Sequence, residues 1–233
     1  MNAPAGLFPE TRWTLVLAAK RDPEKRGVAF EALVAPRYKA LYVVARKHGL
    51  SAERAEDAVQ GFVTRLLEGD VLERLDPGKG KLRSYLRTAF RHYLTNLAQE
   101  ERAQKRGSGR RTEDLADVEA LLASSEATPD ALFDRAWAQS IFADALGALE
   151  REYTSGARQG PFSIVRDLFQ FVTAPPYAEL AAAHGMSVPQ LKSFVHRARL
   201  RFRELLRERV TDTLTDPAEA DQELTLLLGA LTA

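Results

Sequence analysis

The residues able to do chemistry in this chain are cations, amides and hydroxyls rather than nucleophiles. There are no cysteines and four histidines in 233 residues, so disulfides, thiolate metal sites and a cysteine nucleophile are excluded. The four histidines are scattered, and no phosphate-cradling glycine loop or nucleophile elbow is present. The sequence therefore predicts no catalysis and no cofactor. The positive charge, in contrast, is grouped. From Gln190 to Arg209 there are seven Lys/Arg against two acids, and from Asp76 to Arg111 ten against three. Thr112 to Asp134 carries seven acids and no base, and Thr211 to Ala233 five acids and no base. The net charge of +1 hides this alternation, which points to two polyanion-binding faces. On charge alone such blocks also fit ordinary solvated helix faces.

The later basic block has the finer pattern. Gln190, Lys192, Ser193, Phe194, His196, Arg197, Arg199 and Arg201 lie outside an apolar stripe of Val188, Leu191, Val195, Ala198, Phe202 and Leu205. Steps of three and four leave one buried and one outward face. The side chains near the helix start suit base edges in a major groove, and the flanking cations suit phosphates. In the earlier block, Arg83, Arg87 and Arg91 recur every four residues, with Tyr85, His92 and Asn96 assigned beside them. Cations along a backbone and rings against unstacked bases are what a melted strand requires.

These faces need helices to hold them, and the sequence predicts an all-α chain. Helices are expected over Thr11–Ala19, Ala29–His48 with a stop at Gly49, a segment capped by Ser51 with the core stripe Ala55, Val59, Phe62, Val63 and Leu66, Leu82–Gln104, Pro129–Tyr153, and Phe162–Val172. Asp76–Gly80 and residues 155–161 read as loops. Residues 177–206 read as a helix-turn-helix: Leu180 and Ala181 face inward, His184, Gly185 and Met186 turn, and Ser187 with Gln190 forms a capping box. The expected organisation is a domain over 1–106, an acidic linker over 107–134, a helix-turn-helix domain over 135–210, and an acidic amphipathic tail helix within 211–233. No secretory leader is apparent at the start, and no apolar run would span a bilayer, so a cytoplasmic location is expected, with no membrane partner.

The segment SVPQLKSFVHRARLRFRELL resembles the promoter-recognition helix of extracytoplasmic-function (ECF) sigma factors, the bacterial RNA polymerase initiation factors. Lys192, Ser193, His196, Arg197, Ala198 and Arg199 keep the family's pattern, and Phe194 stands where arginine is usual; a ring there would touch a thymine methyl. Ala55, Glu56, Asp57 and Gln60 are similar to the family's polymerase-binding helix, with Gly61 in place of an acid. Arg83, Leu86, Arg87 and Ala89 match its promoter-opening helix, with Tyr85 in place of tryptophan. The resemblance spans roughly 25–106 and 135–207. It implies that Glu56, Asp57, Gln60 and Arg65 dock on the clamp coiled-coil of core RNA polymerase. Arg83, Tyr85, Arg87, Arg91, His92 and Asn96 would engage the melted strand, and the later helix would read duplex promoter DNA and touch the polymerase flap. An anti-sigma factor or similar regulator is a further partner that the family admits. The other class weighed is a stand-alone helix-turn-helix repressor or activator. The acidic tail is expected to fold back onto a domain and modulate access.

Overall fold

The computed structural model describes residues 27–28, 34–68, 81–104, 127–158, 160–170 and 176–232. They form helices α1 (Tyr38–Lys47), α2 (Ala52–Glu68), α3 (Leu82–Gln104), α4 (Pro129–Thr154), α5 (Phe162–Gln170), α6 (Tyr177–Ala183), α7 (Val188–Thr211) and α8 (Ala220–Thr232), with 3₁₀ turns at Ala35–Arg37 and Pro217–Glu219. The chain is mostly helical, and among the described residues there is no strand beyond a lone bridge between Lys81 and Leu214. No described helix is long and apolar enough to cross a membrane. The expected helix at Thr11–Ala19, the Asp76–Gly80 loop and most of the acidic linker lie outside the described residues. Of the helix expected over Ala29–His48, residues 29–33 lie outside the described residues; beyond them Pro36 sits in the 3₁₀ turn, and an α-helix begins at Tyr38. Proline has no N–H to give a helical ladder, so it belongs at the entry to the helix.

Two compact units divide the chain. The first comprises residues up to Ser140 together with Val210–Ala233, and the second comprises Ile141–Arg209. The sequence places a boundary at 134/135 and treats the tail as separate. By contacts, the start of α4 and the whole tail group with α1–α3.

In the first unit α1 packs on α2, and both meet α3. The stripe of α2 is buried at Ala55, Val59, Phe62 and Leu66, and α3 buries Leu82, Leu86, Phe90 and Leu94. Phe62 lies against Phe90 and Tyr93, with ring centroids 5.0 and 5.7 Å apart. Such tilted pairs are favoured by the ring quadrupole. Gly61, where the resemblance leads one to expect an acid, is explained here. A Cβ at this position would collide with the Tyr93 hydroxyl, so glycine lets α2 approach α3 closely. Ser51 caps α2 through Arg54 N–H (3.4 Å), and Gly49 ends α1 at φ +87°. Phe133 and Trp137 of α4 are buried, with the Arg37 guanidinium 5.4 Å from the indole centroid.

The second unit is centred on Ile141, Ala145, Leu149, Ile164, Val165, Leu180, Leu191, Val195, Ala198, Phe202 and Leu205, all buried. Phe142 meets Phe202 edge-on at 4.8 Å. The turn between α6 and α7 contains Gly185 at φ +63°, a conformation open to glycine without steric cost.

Candidate nucleic-acid interface

The start of α7 is held by reciprocal bonds. The Ser187 backbone N–H donates to Gln190 Oε1 at 2.8 Å, and the Gln190 backbone N–H donates to Ser187 Oγ at 3.3 Å. The capping box expected from the sequence is therefore formed, and it satisfies two donors that would otherwise be orphaned. Gln190 is thereby partly withdrawn from base reading, since its amide oxygen is committed to the cap.

Beyond the cap, Lys192, Ser193, His196, Arg197 and Arg199 are exposed as expected. At 3.6 residues per turn, Lys192, His196, Arg199 and Arg203 fall within about 60° of arc. They make one continuous basic strip, and all four are exposed. Arg203 was missed by the sequence reading, although its spacing of four from Arg199 was a usable signal. Arg197 stands off this strip, where its Nη1 donates to Ser193 Oγ at 2.7 Å. That bond restrains a long side chain whose fork suits bidentate acceptors.

Two expected contacts on α7 are corrected. Phe194 is 4 % exposed. Its ring packs edge-on against Tyr153 at 5.7 Å and fills the space that a Cβ at Gly160 would take. The loop glycine, at φ +117°, thus makes room for the ring. Phe194 is a core residue of its unit, where an arginine would be buried without a partner. Arg201 is also removed from the interface. Its Nη2 and Nε bind Glu152 Oε1 at 2.6 and 2.9 Å, and its Nη1 reaches Glu204 at 2.9 Å and Glu208 at 3.1 Å. Hydrogen bonds from Arg201 are the main reason the Glu152 carboxyl titrates below its ordinary range; burial opposes them and Arg158 assists. Three carboxylates leave Arg201 little to offer a phosphate.

The stripe on α3 differs more. Arg83 is 8 % exposed. Its Nη1 lies 2.6 Å from Asp134 Oδ1, and its Nε lies 2.7 Å from Glu223 Oε1. Arg87 Nη1 pairs with Asp134 at 3.1 Å, and Arg91 Nη1 with Asp130 at 3.3 Å. In this arrangement the stripe expected to meet a melted strand is occupied by internal ion pairs. Its three arginines pair with Asp130 and Asp134 of α4 and Glu223 of α8. Tyr85, His92 and Asn96 do not lie beside the stripe. They cluster roughly 140–180° around the helix from Arg87, with His92 and Asn96 exposed and Tyr85 half-buried.

The α2 residues assigned to a protein partner lie outward as expected: Asp57 and Gln60 are exposed and Glu56 half-buried. Arg65 is steered elsewhere, 5.0 Å from the Tyr93 ring centroid and 4.0 Å from Glu100. Among the described residues no cluster of His, Asp or Glu suits a metal ion. Compared with protein-family models, curated proteins and solved structures, the chain gives no match.

Proposed function

We propose that the chain is a transcription initiation factor of the sigma type, binding core RNA polymerase and promoter DNA and carrying out no reaction of its own. The observation that supports this most is the exposed strip Lys192, His196, Arg199 and Arg203 on a helix whose first turn is capped by Ser187 and Gln190. Read as a helix-turn-helix, α6 and α7 would set α7 in a major groove. Ser193 and Arg197 would face base edges, and the strip would lie along phosphates. The polymerase half of the reading is supported by the resemblance of α2, where Glu56 and Gln60 stand one turn apart with Asp57 beside them. Strand opening would be driven by binding energy alone.

The test is transcription by purified core polymerase on a genomic fragment library, with and without this protein, together with co-elution from a sizing column. Discrete protein-dependent start sites are expected. Co-elution is expected to weaken when Glu56 and Gln60 are both replaced by alanine. A protein that neither co-elutes nor redirects initiation overturns the reading. The second reading, a stand-alone duplex-binding regulator, gains from one observation. The α3 stripe is held in internal ion pairs, while α7 keeps an exposed basic strip. Sequence-specific duplex binding without polymerase association would select it.

A further inference from the structure

Lys81, Arg83, Arg87 and Arg91 face four carboxylates of the same unit. Lys81 Nζ lies 3.2 Å from Glu219 and 3.1 Å from Glu223. Arg83 joins Glu223 to Asp134, Arg87 shares Asp134, and Arg91 takes Asp130. Glu223 is 1 % exposed. Its position matters because a buried charge is tolerated only with partners, so cations and acids here are mutually dependent. Apart from Glu223, the buried residues of α8 are Ala220 and Leu227, while Leu226 and Leu228 are 52 % and 45 % exposed. Before α8, the Leu82 N–H donates to Thr213 O at 3.1 Å, Lys81 bridges to Leu214, and Val210, Thr213 and Leu214 are buried, so this stretch is the firmer anchor of the tail. α8 itself thus combines these ion pairs with only two buried apolar side chains, and elements with few buried apolar contacts open more readily than a core helix. Competing ions reach the more exposed pair of Lys81 with Glu219 first, because buried pairs such as Arg83 with Glu223 are screened little.

We propose that the segment 217–232 is a displaceable clasp, in which Glu219 and Glu223 occupy the places that phosphates of a single nucleic-acid strand take on the basic face of α3. Arginine forks accept phosphate as readily as carboxylate, so the exchange swaps one set of charge-assisted bonds for another. The first turns of α4 retain Asp130 and Asp134 on the far part of the stripe. Displacement of the tail therefore frees Lys81 and the Nε side of Arg83, whose Nη1 stays with Asp134. The inference rests on the reading of α3 as a nucleic-acid helix, and adds that the chain carries its own competitor for that helix.

The experiment uses the full chain with Lys192→Ala, Arg199→Ala and Arg203→Ala, so that α7 is silent. Binding of a fluorescent single-stranded oligonucleotide is followed by anisotropy. Adding Glu219→Gln and Glu223→Gln is expected to tighten binding about tenfold or more at low salt. It should also steepen the salt slope by roughly 0.7 for each phosphate newly contacted. Further replacement of Lys81 and Arg83 by glutamine is expected to abolish the gain. In the chain with the clasp intact, excess oligonucleotide is expected to accelerate amide exchange within 217–232. This measurement decides the matter should the glutamine variant not fold. A folded glutamine variant with no gain, a gain that survives loss of Lys81 and Arg83, or exchange in 217–232 that stays unchanged or slows overturns the clasp. Failure to co-elute with polymerase would overturn the sigma reading and leave these measurements standing.

Discussion

Among the described residues α3 and α7 are the arginine-rich helices, and they spend their charge differently. On α3, Arg83, Arg87 and Arg91 stand at one flank of the core stripe and meet Asp134, Asp130 and Glu223. On α7, Arg201 is drawn into a comparable cluster, with Glu152, Glu204 and Glu208. Lys192, His196, Arg199 and Arg203 stay in solvent. Similar composition and similar four-residue spacing thus give a structural ionic seam in one case and an open basic strip in the other. The difference is set by what packs alongside, not by the helix itself. A basic periodicity reports that cations share a face, and the acids that share the unit decide whether that face is available.

Phe194→Arg gives the largest expected effect. It restores the residue usual in the family that the sequence resembles, and a DNA-facing position would gain affinity from it. The buried ring against Tyr153 and Gly160 predicts the opposite: a loss of about 3–4 kcal/mol, as for removal of a core aromatic. Urea unfolding measures it. An unchanged midpoint with tighter duplex binding would return Phe194 to the interface.

Arg83→Met tests the seam. Removing Arg83 leaves Glu223 buried with Lys81 as its partner, and Asp134 with Arg87. Breaking one side of a buried pair costs about 3 kcal/mol. The expected outcome is a lower denaturation midpoint with duplex affinity unchanged. Stability that is unaffected while duplex binding weakens would make α3 a second open interface and erase the contrast with α7.

The strip on α7 is sharpened by replacing Lys192, Arg199 and Arg203 together with alanine. All three are exposed, so folding should be untouched. Three lost phosphate contacts lower the slope of log affinity against log salt by about 2.7, and affinity at 0.1 M salt falls on the order of 10²-fold. Salt-titrated anisotropy on duplex DNA checks both numbers.

Much of this was legible in the sequence, and the illegible part has one physical origin. The bounds of α3, the stop at Gly49, the Ser51 cap, the Gly185 turn and the Ser187–Gln190 box are local, decided by residues within a few positions of each other. They stand where the sequence puts them. The outward position of Lys192, Arg199 and Asp57 follows from periodicity against a core stripe, which is local as well. Arg83 and Glu223 are 140 residues apart, and Phe194 meets a glycine 34 positions earlier. Nothing in either neighbourhood marks these pairings. The alternating acidic and basic blocks did carry a hint, since opposite blocks in one chain are each other's nearest counterions. That hint named no residues.

Acid titration separates the two ionic clusters with the smallest expected effect. For Glu223, burial pushes the carboxyl up, but hydrogen bonds and charge from Arg83 and Lys81 outweigh it and hold the group below its ordinary 4.5. Glu152 is likewise lowered, first by its bonds to Arg201. A carboxylate whose folded value lies below its unfolded one binds fewer protons when folded. Its contribution is complete above the unfolded value and is lost as pH falls through the folded one. Midpoints in urea should therefore be level near neutrality and decline below about pH 4.5. Glu152→Gln should flatten the part of that decline due to the second unit. Glu223→Gln should flatten the part due to the first, and should also lower the neutral plateau, because Arg83 loses a buried counter-charge. If Glu223→Gln leaves both plateau and slope intact, the tail is not tied to α3 by charge. The two arginine-rich helices would then differ in sequence context alone.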